Sequence, residues 1–195
     1  MKKQIVFIEG KKIYLRPVLE SDDKKEYLRW LNNYKINRYS NRLSWPTTEG
    51  DLARYLNDCG GKKNLLLAIV EKKGERHIGN ILLSSINWIA RSGELSIMIG
   101  KEDAQGKGYG REAWQLLARH AFEVLNLRRL EAGTVHPAME SILKKQGWTH
   151  EGTLRQAMFL SGKYLDVKRF GILREDLARL PRKKNARRDA RAKAR

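Results

Sequence analysis

Gln105-Gly106-Lys107-Gly108-Tyr109-Gly110-Arg111 decides how this chain is read. Three glycines at alternate positions let the backbone enter conformations closed to other residues and aim several N–H groups at one spot. The stretch lies between a segment that alternates like a strand and one patterned like a helix. The positive end of that helix dipole reinforces the cradle, and Lys107 and Arg111 add mobile positive charge, so a phosphate or diphosphate is the natural occupant. Nucleotide-binding alternatives fit poorly: there is no Walker G-x-x-x-x-G-K-[ST], and G-x-G-x-G is not the G-x-G-x-x-G of a dinucleotide fold. Standing alone, a glycine cluster before a helix is more often a plain turn, so its surroundings must carry the argument.

Downstream, Ala113, Leu116, Leu117, Ala121 and Val124 form an i, i+3, i+4, i+8, i+11 stripe, which predicts a helix with one buried face. Upstream, residues 65–70, 78–87 and 94–99 read as three strands joined by hairpin-like connections at residues 72–75 and 90–93. Further out, residues 129–135 read as a strand and 138–146 as a short helix stopped by Gly147. Residues 148–160 and 163–173 form a closing hairpin turned at Ser161-Gly162. At the other end, residues 13–17 make a short first strand ending at a proline. Ser21 and Asp22 can cap a helix carrying Tyr27, Leu28, Trp30, Leu31 and Tyr34. Pro46-Thr47-Thr48 prepares a second helix with Leu52, Tyr55 and Leu56 on one side and Gly60-Gly61 past its end. The order β-α-α-β-β-β-α-β-α-β-β predicts an α/β (α+β) fold around a mixed, largely antiparallel sheet of about seven strands.

Composition bounds the reading. The 195 residues suffice for one well-packed domain, expected over residues 1–178, and 41% hydrophobic residues with five Trp and seven Tyr exclude a largely disordered polymer. No run approaches the ~20 apolar residues of a membrane span, and the opening stretch is too apolar-poor for a signal peptide, so a cytoplasmic protein is expected. Cys59 is the single cysteine, which excludes an intramolecular disulfide and a cysteine-rich zinc site. His77, His120 and His150 share with carboxylates or Cys59 no short spacing of the kind that suggests a metal site, so no metal is expected. The net charge is +18, of which residues 182–195 supply +7, with eight Lys or Arg against one Asp, leaving +11 for the body. Residues 179–195 are expected to be a flexible basic tail. Such a balance favours anionic company: RNA, ribosome, phosphorylated cofactor or acidic substrate.

With the order of elements around it, the Q-x-x-G-x-G of residues 105–110 makes the chain similar to the GNAT superfamily of N-acetyltransferases over roughly residues 11–175. Leu15-Arg16-Pro17, residues 127–130, Gln146-Gly147-Trp148 and residues 151–155 resemble the branch of ribosomal-protein N-terminal and amino-sugar acetyltransferases. The resemblance implies acetyl-CoA as co-substrate and no metal. It further implies a GNAT-type sheet whose fourth and fifth strands, here residues 94–99 and 129–135, start parallel and splay apart. The pantetheine amides would pair with Ile97, Met98 and Ile99 like an added strand, and the diphosphate would rest on Gln105, Gly106, Lys107, Gly108, Tyr109, Gly110 and Arg111. The acceptor would be a protein N-terminus, an amino sugar or another small amine, attacked directly in a ternary complex, by a monomer or a homodimer. The alternative is an RNA- or ribosome-binding protein that uses the basic tail and keeps the fold as a binding module.

Acetyl transfer to an amine needs a neutral nitrogen, a route for its proton and stabilisation of the developing oxyanion. Glu94 is the first candidate for general base: on alternation it shares a strand face with Ser96 and Met98, and many superfamily members place a carboxylate near the start of that strand. The plain alternative is a solvent-facing residue paired with a neighbouring Arg. His136 takes the position at which the superfamily often carries Asn, and its imidazole could contact the cofactor or shuttle protons; a strand-end histidine is more often structural. No Tyr lies between His136 and Trp148, so the acid is left among water, Ser141 and a tyrosine such as Tyr164. Glu20, Asp22 and Glu140 read as caps or surface charges. Trp30, Tyr34, Tyr39 and Trp45 belong to the region that covers the acceptor site in this superfamily. The scarcity of acids there makes a polyamine an awkward acceptor, and an anionic nucleotide-linked sugar or RNA-bound amine an easier one.

Overall fold

A computed structural model describes residues 5–59 and 63–179. Gly60-Gly61 and residues 182–195 of the basic tail lie outside them. In chain order the elements are β1 (Ile8–Glu9), β2 (Ile13–Pro17), α1 (Lys24–Leu31), α2 (Tyr34–Asn37), α3 (Glu49–Asp58), β3 (Leu65–Glu71), β4 (Arg76–Asn87) and β5 (Ser92–Ile99). There follow α4 (Tyr109–Glu123), β6 (Arg129–Thr134), α5 (Pro137–Lys145), β7 (Thr149–Leu160) and β8 (Lys163–Leu173). The strands form one sheet in the order β1-β2-β3-β4-β5-β6-β8-β7. Every neighbouring pair is antiparallel except β5 with β6. The two-residue β1 is the addition to the seven strands expected.

Opposite residues of β4 and β5 share a face, which sorts the two sides of the sheet. On one side Ile81, Leu83 and Leu95 pack with Ala113, Trp114, Leu117 and Ala121 of α4. On the other, Met98 packs with Tyr27, Trp30, Leu31 and Leu52 of α1 and α3. Each fully buried Leu or Phe in such a core contributes about 1.5–3 kcal/mol by leaving water. The stripe of α4 ends sooner than its spacing predicts: Val124 is the C-cap and 67% exposed, and Phe122 takes the inward place.

The first helical segment also departs from expectation, for a local reason. It is broken at Asn32-Asn33: the Asn33 side chain accepts from the N–H groups of Lys35 and Ile36 and so starts a new helix. Asn37, 4% exposed, donates through Nδ2 to the carbonyls of Trp30, Leu31 and Asn33 at 2.7, 3.2 and 2.9 Å, which knits the break. Tyr34 is thereby turned outward, 64% exposed. The N-cap of α1 is Asp23 rather than Ser21 or Asp22, because Arg16 claims Asp22 through two hydrogen bonds of 2.8 and 2.5 Å. Thr48 and Asp51 close a capping box on α3. Gly100, just after β5, lies flat against Trp30; a side chain there would overlap the indole.

Candidate active site

The parallel contact of β5 with β6 lasts three rungs: Ser92 opposite Arg129, Gly93 opposite Leu130 and Glu94 opposite Glu131. Beyond them β5 pairs only with β4, and β6 only with β8. The edge of Leu95–Ile99 that would face β6 therefore borders a wedge, as the resemblance implies.

The glycine-rich turn follows directly. Gly106 and Gly108 have φ of +73° and +84°, the left-handed region, and nothing lies within 4 Å of where a side chain on either would project. Gly108 is the N-cap of α4 and offers no side-chain cap, so the first-turn N–H groups of the helix stay available to an anion. The turn is tied down on both sides. Gln105 Nε2 donates to the Ile99 carbonyl at 3.1 Å, and Lys12 Nζ to the Lys107 carbonyl at 3.4 Å. Tyr109 Oη donates to Glu71 of β3, whose other oxygen takes two hydrogen bonds from Arg76 at 2.9 and 2.7 Å. The Tyr109 bond, then those from Arg76, hold the Glu71 carboxyl below its usual range, and the same carboxylate pushes the Tyr109 phenol up. Glu112, one turn into α4, accepts from the N–H groups of Lys11 and Lys12.

Wedge and turn open into one cavity of about 920 Å³. It is lined by Ile97, Met98 and Ile99, by residues 104–111, and by side chains of α1, α2, α3 and α5. All ten cofactor-binding residues expected from the sequence border it, and so does His136. Glu94 does not. It shares a face with Ser96 and Met98, as the alternation predicts, but lies two residues back, about 6–7 Å along the strand from Ser96. There its carboxylate accepts from Arg169 Nη1 at 2.9 Å, with 39% of the side chain exposed.

His136 is the N-cap of α5: its Nδ1 accepts from the Ala138 N–H at 3.2 Å. The neutral ring consequently carries its proton on Nε2. Its ring stacks on Tyr39 with centroids 4.0 Å apart and planes 29° apart, and Arg38 sits 5.1 Å over the Tyr39 ring. Burial, then the nearby Arg38 charge, hold the imidazole below its ordinary pKa. Tyr27 and Tyr55 also line the cavity; burial raises both phenols, Tyr27 to about 12, so both remain neutral donors. Of the other candidates, Glu140 takes hydrogen bonds from Lys144 and Lys168, which hold its carboxyl at about 2, and Tyr164 and Glu20 are exposed. Among the described residues no group of three or more His, Cys, Asp or Glu side chains is placed to hold a metal, and no helix is long and apolar enough to cross a membrane.

Sequence reasoning missed Asn80. It lies opposite Met98, is 4% exposed, and borders the cavity. His77 Nε2 stands 3.0 Å from both the Gly79 carbonyl and Asn80 Oδ1. A carbonyl can only accept, so that nitrogen bears the proton and the Asn80 oxygen faces it, leaving Asn80 Nδ2 a buried donor with no partner among the described residues. The alternating pattern of β4 could have flagged a polar residue at an inward position.

The comparisons agree with this geometry. The acetyltransferase (GNAT) domain model matches residues 12–149. The spermidine N(1)-acetyltransferase of Escherichia coli K12 is 30% identical over 166 residues, 82% of this chain and 85% of that protein. The Vibrio cholerae spermidine N(1)-acetyltransferase is 36% identical over 107 residues, 54% of this chain; that match spans 61% of the relative's length. A crystal structure of the spermidine N-acetyltransferase from Vibrio cholerae in complex with CoA and spermine superposes with a TM-score of 0.77 at 27% identity, covering 86% of this chain and 98% of that one. Fold, wedge, glycine turn and family match converge: the chain belongs to the acetyltransferase (GNAT) domain family.

Proposed function

We propose that this protein transfers an acetyl group from acetyl-CoA to a primary amine carried by a small molecule or peptide. The carrying observation is that an uncapped helix start with two left-handed glycines and the unpaired edge of β5 open into the same cavity. When bound, acetyl-CoA supplies an activated thioester carbonyl. The residues fit it: the N–H groups of the 106–111 turn, with Lys107 and Arg111, suit a diphosphate, and the β5 edge at Ile97, Met98 and Ile99 suits the amides of a pantetheine arm.

The acceptor enters under α1, α2 and α3, where Tyr27, Tyr39 and Tyr55 line the cavity. Held by Arg169 on the same strand face, Glu94 receives the proton of the amine through water that reaches back along β5. His136 serves as a neutral donor rather than a base, because Nδ1 is committed to the cap and Nε2 already bears the proton. Its Nε2–H supports negative charge developing near the reacting atoms.

The reading is tested by titrating CoA into the protein by calorimetry while following thiol release from acetyl-CoA over amino sugars, peptides, polyamines and aminoacyl-tRNA. Gly108→Glu, which puts a carboxylate into the cradle, is expected to abolish CoA binding with the circular dichroism spectrum unchanged. Undiminished affinity in that variant would remove the cofactor assignment.

A further inference from the structure

The cavity is rich in donors and has no carboxylate. None of its lining side chains is Asp or Glu, whereas Lys35, Arg38, Arg42, Lys107, Arg111 and Lys145 all border it. Lys107 and Arg111 belong to the turn assigned to the diphosphate of CoA. Lys35, Arg38 and Arg42 do not; Lys35 lies in α2, Arg38 is its C-cap and Arg42 belongs to the 3₁₀ turn Asn41–Ser44 that follows. Between Glu26 and Glu49 the chain has four Lys or Arg and no acid. Neither these three nor Lys145 has an ion-pair partner among the described residues, although Arg16, Arg76, Lys101, Arg129, Lys144, Lys168 and Arg169 are all paired.

The buried polar atoms point the same way. Asn80 Nδ2 and Trp114 Nε1 are buried N–H groups without partners among the described residues, and both residues border the cavity. Asn80, on the Met98 face beneath α1 and α3, needs an acceptor atom from whatever fills that space; Trp114 lies on the α4 face of the sheet. A polyamine brings only N–H donors and positive charge, so here it would meet donors with donors and cations with cations. A ligand bearing several anionic oxygens satisfies both requirements. Two arginines and a lysine within eight residues offer more charge and more forked donors than one carboxylate can use, which favours a phosphate or diphosphate.

Building on the acetyl-transfer reading, we infer that the acceptor is a primary amine on a phosphate-bearing scaffold, such as an amino-sugar phosphate or a nucleoside-diphosphate-linked amino sugar, gripped by Lys35, Arg38 and Arg42. Arg38, although exposed, sits over the ring of Tyr39, which stacks on His136, so its guanidinium is placed at the mouth of the cavity beside that histidine.

The test uses the full chain saturated with CoA, which occupies the cradle and prevents a phosphate from binding there. Glucosamine 6-phosphate, UDP-glucosamine, glucosamine and spermidine are titrated by calorimetry, and thiol release from acetyl-CoA is followed with the same four amines. At least one of the two phosphorylated amines is expected to bind about tenfold or more tighter than glucosamine. That advantage should shrink as KCl rises from about 0.05 M to about 0.3 M. Arg38→Gln and Arg42→Gln, both at exposed positions, should each reduce it severalfold, with CoA affinity, whose cradle uses other residues, as the control for folding. If spermidine is the best ligand and substrate, or if neither phosphorylated amine binds more tightly than glucosamine, the inference is overturned while acetyl transfer stands. If CoA itself does not bind, the acetyl-transfer reading fails first.

Discussion

Glu94 of β5 faces Glu131 of β6 across the last rung that joins these strands, and Arg169 of β8 donates to both carboxylates, at 2.9 and 3.1 Å. Arg129 adds hydrogen bonds to Glu131 and Glu151, so two guanidinium groups and three carboxylates clamp the sheet at the apex of the wedge. Removing Arg169 leaves two carboxylates facing each other. Arg169→Met is expected to cost about 1–2 kcal/mol, the partial exposure of the group keeping this below the value for a buried pair. Urea unfolding measures it, and an unchanged midpoint would contradict the clamp.

The clamp also sets a pH dependence. The hydrogen bond from Arg129, and after it Arg169, hold the Glu131 carboxyl below its usual range against the opposing effect of burial. A carboxyl with a lower pKa folded than unfolded contributes stability above the ordinary carboxylate range and loses it as pH falls through the folded value. Stability measured from pH 6 downward to about pH 3 should therefore fall less steeply in Glu131→Gln than in the unaltered chain.

A second acid-sensitive group lies under α1. His77 is mostly but not fully buried, its ring edge-on to Trp30, with Asp22 4.0 Å away and Arg16 beyond it. Burial, the largest influence, depresses its imidazole pKa despite the hydrogen bond to Asn80 and the Asp22 charge. The folded chain then holds its histidine neutral where the unfolded chain would protonate it, so this contribution is present above pH ~6.5 and is lost as pH falls below it. His77→Gln should flatten the fall in thermal midpoint between pH 7 and 5; an equally steep fall would clear His77.

What the sequence made legible was whatever depends on near neighbours. The alternation of residues 94–99, the glycine turn and the α4 stripe need only local periodicity, and they reappear as a strand, a left-handed turn and a helix face that is buried as far as Ala121. Three things lay beyond local reading. The break at Asn32-Asn33 depends on Asn37 reaching back to three carbonyls, which competes with a helix pattern that otherwise runs on to Tyr34. The Arg169 partner of Glu94 lies 75 residues away, and the stack of Tyr39 on His136 unites α2 with the start of α5; tertiary packing alone creates both. Asn80 became visible as an unsatisfied donor only when every neighbouring atom could be checked.

Two glycines should fail in different ways. Gly100→Ala drives a methyl into the Trp30 ring, so it is expected to destabilise the fold by about 1–3 kcal/mol through overpacking. Gly108→Ala meets no neighbouring atom but must keep φ near +84°, at a cost of about 1–2 kcal/mol confined to the turn. Denaturation together with CoA titration separates them: the first should lower the unfolding midpoint more, the second should weaken CoA binding more.

The assignments of Glu94 and His136 are separable kinetically. Glu94→Gln should lower kcat while CoA affinity is retained; turnover equal to that of the unaltered chain would clear it of the proton-transfer role. His136→Asn keeps an oxygen able to cap α5, so stability should stay within about 1 kcal/mol. Turnover should drop about tenfold or more with the loss of the Nε2–H donor.

The most direct measurement is a set of backbone amide spectra recorded as CoA is added to isotope-labelled protein. The largest shifts are expected at Ile97, Met98, Ile99 and across residues 106–111, with the β7–β8 hairpin unmoved. Shifts concentrated elsewhere, with the glycine turn and the β5 edge silent at saturation, would contradict the placement of the coenzyme on which the whole account depends.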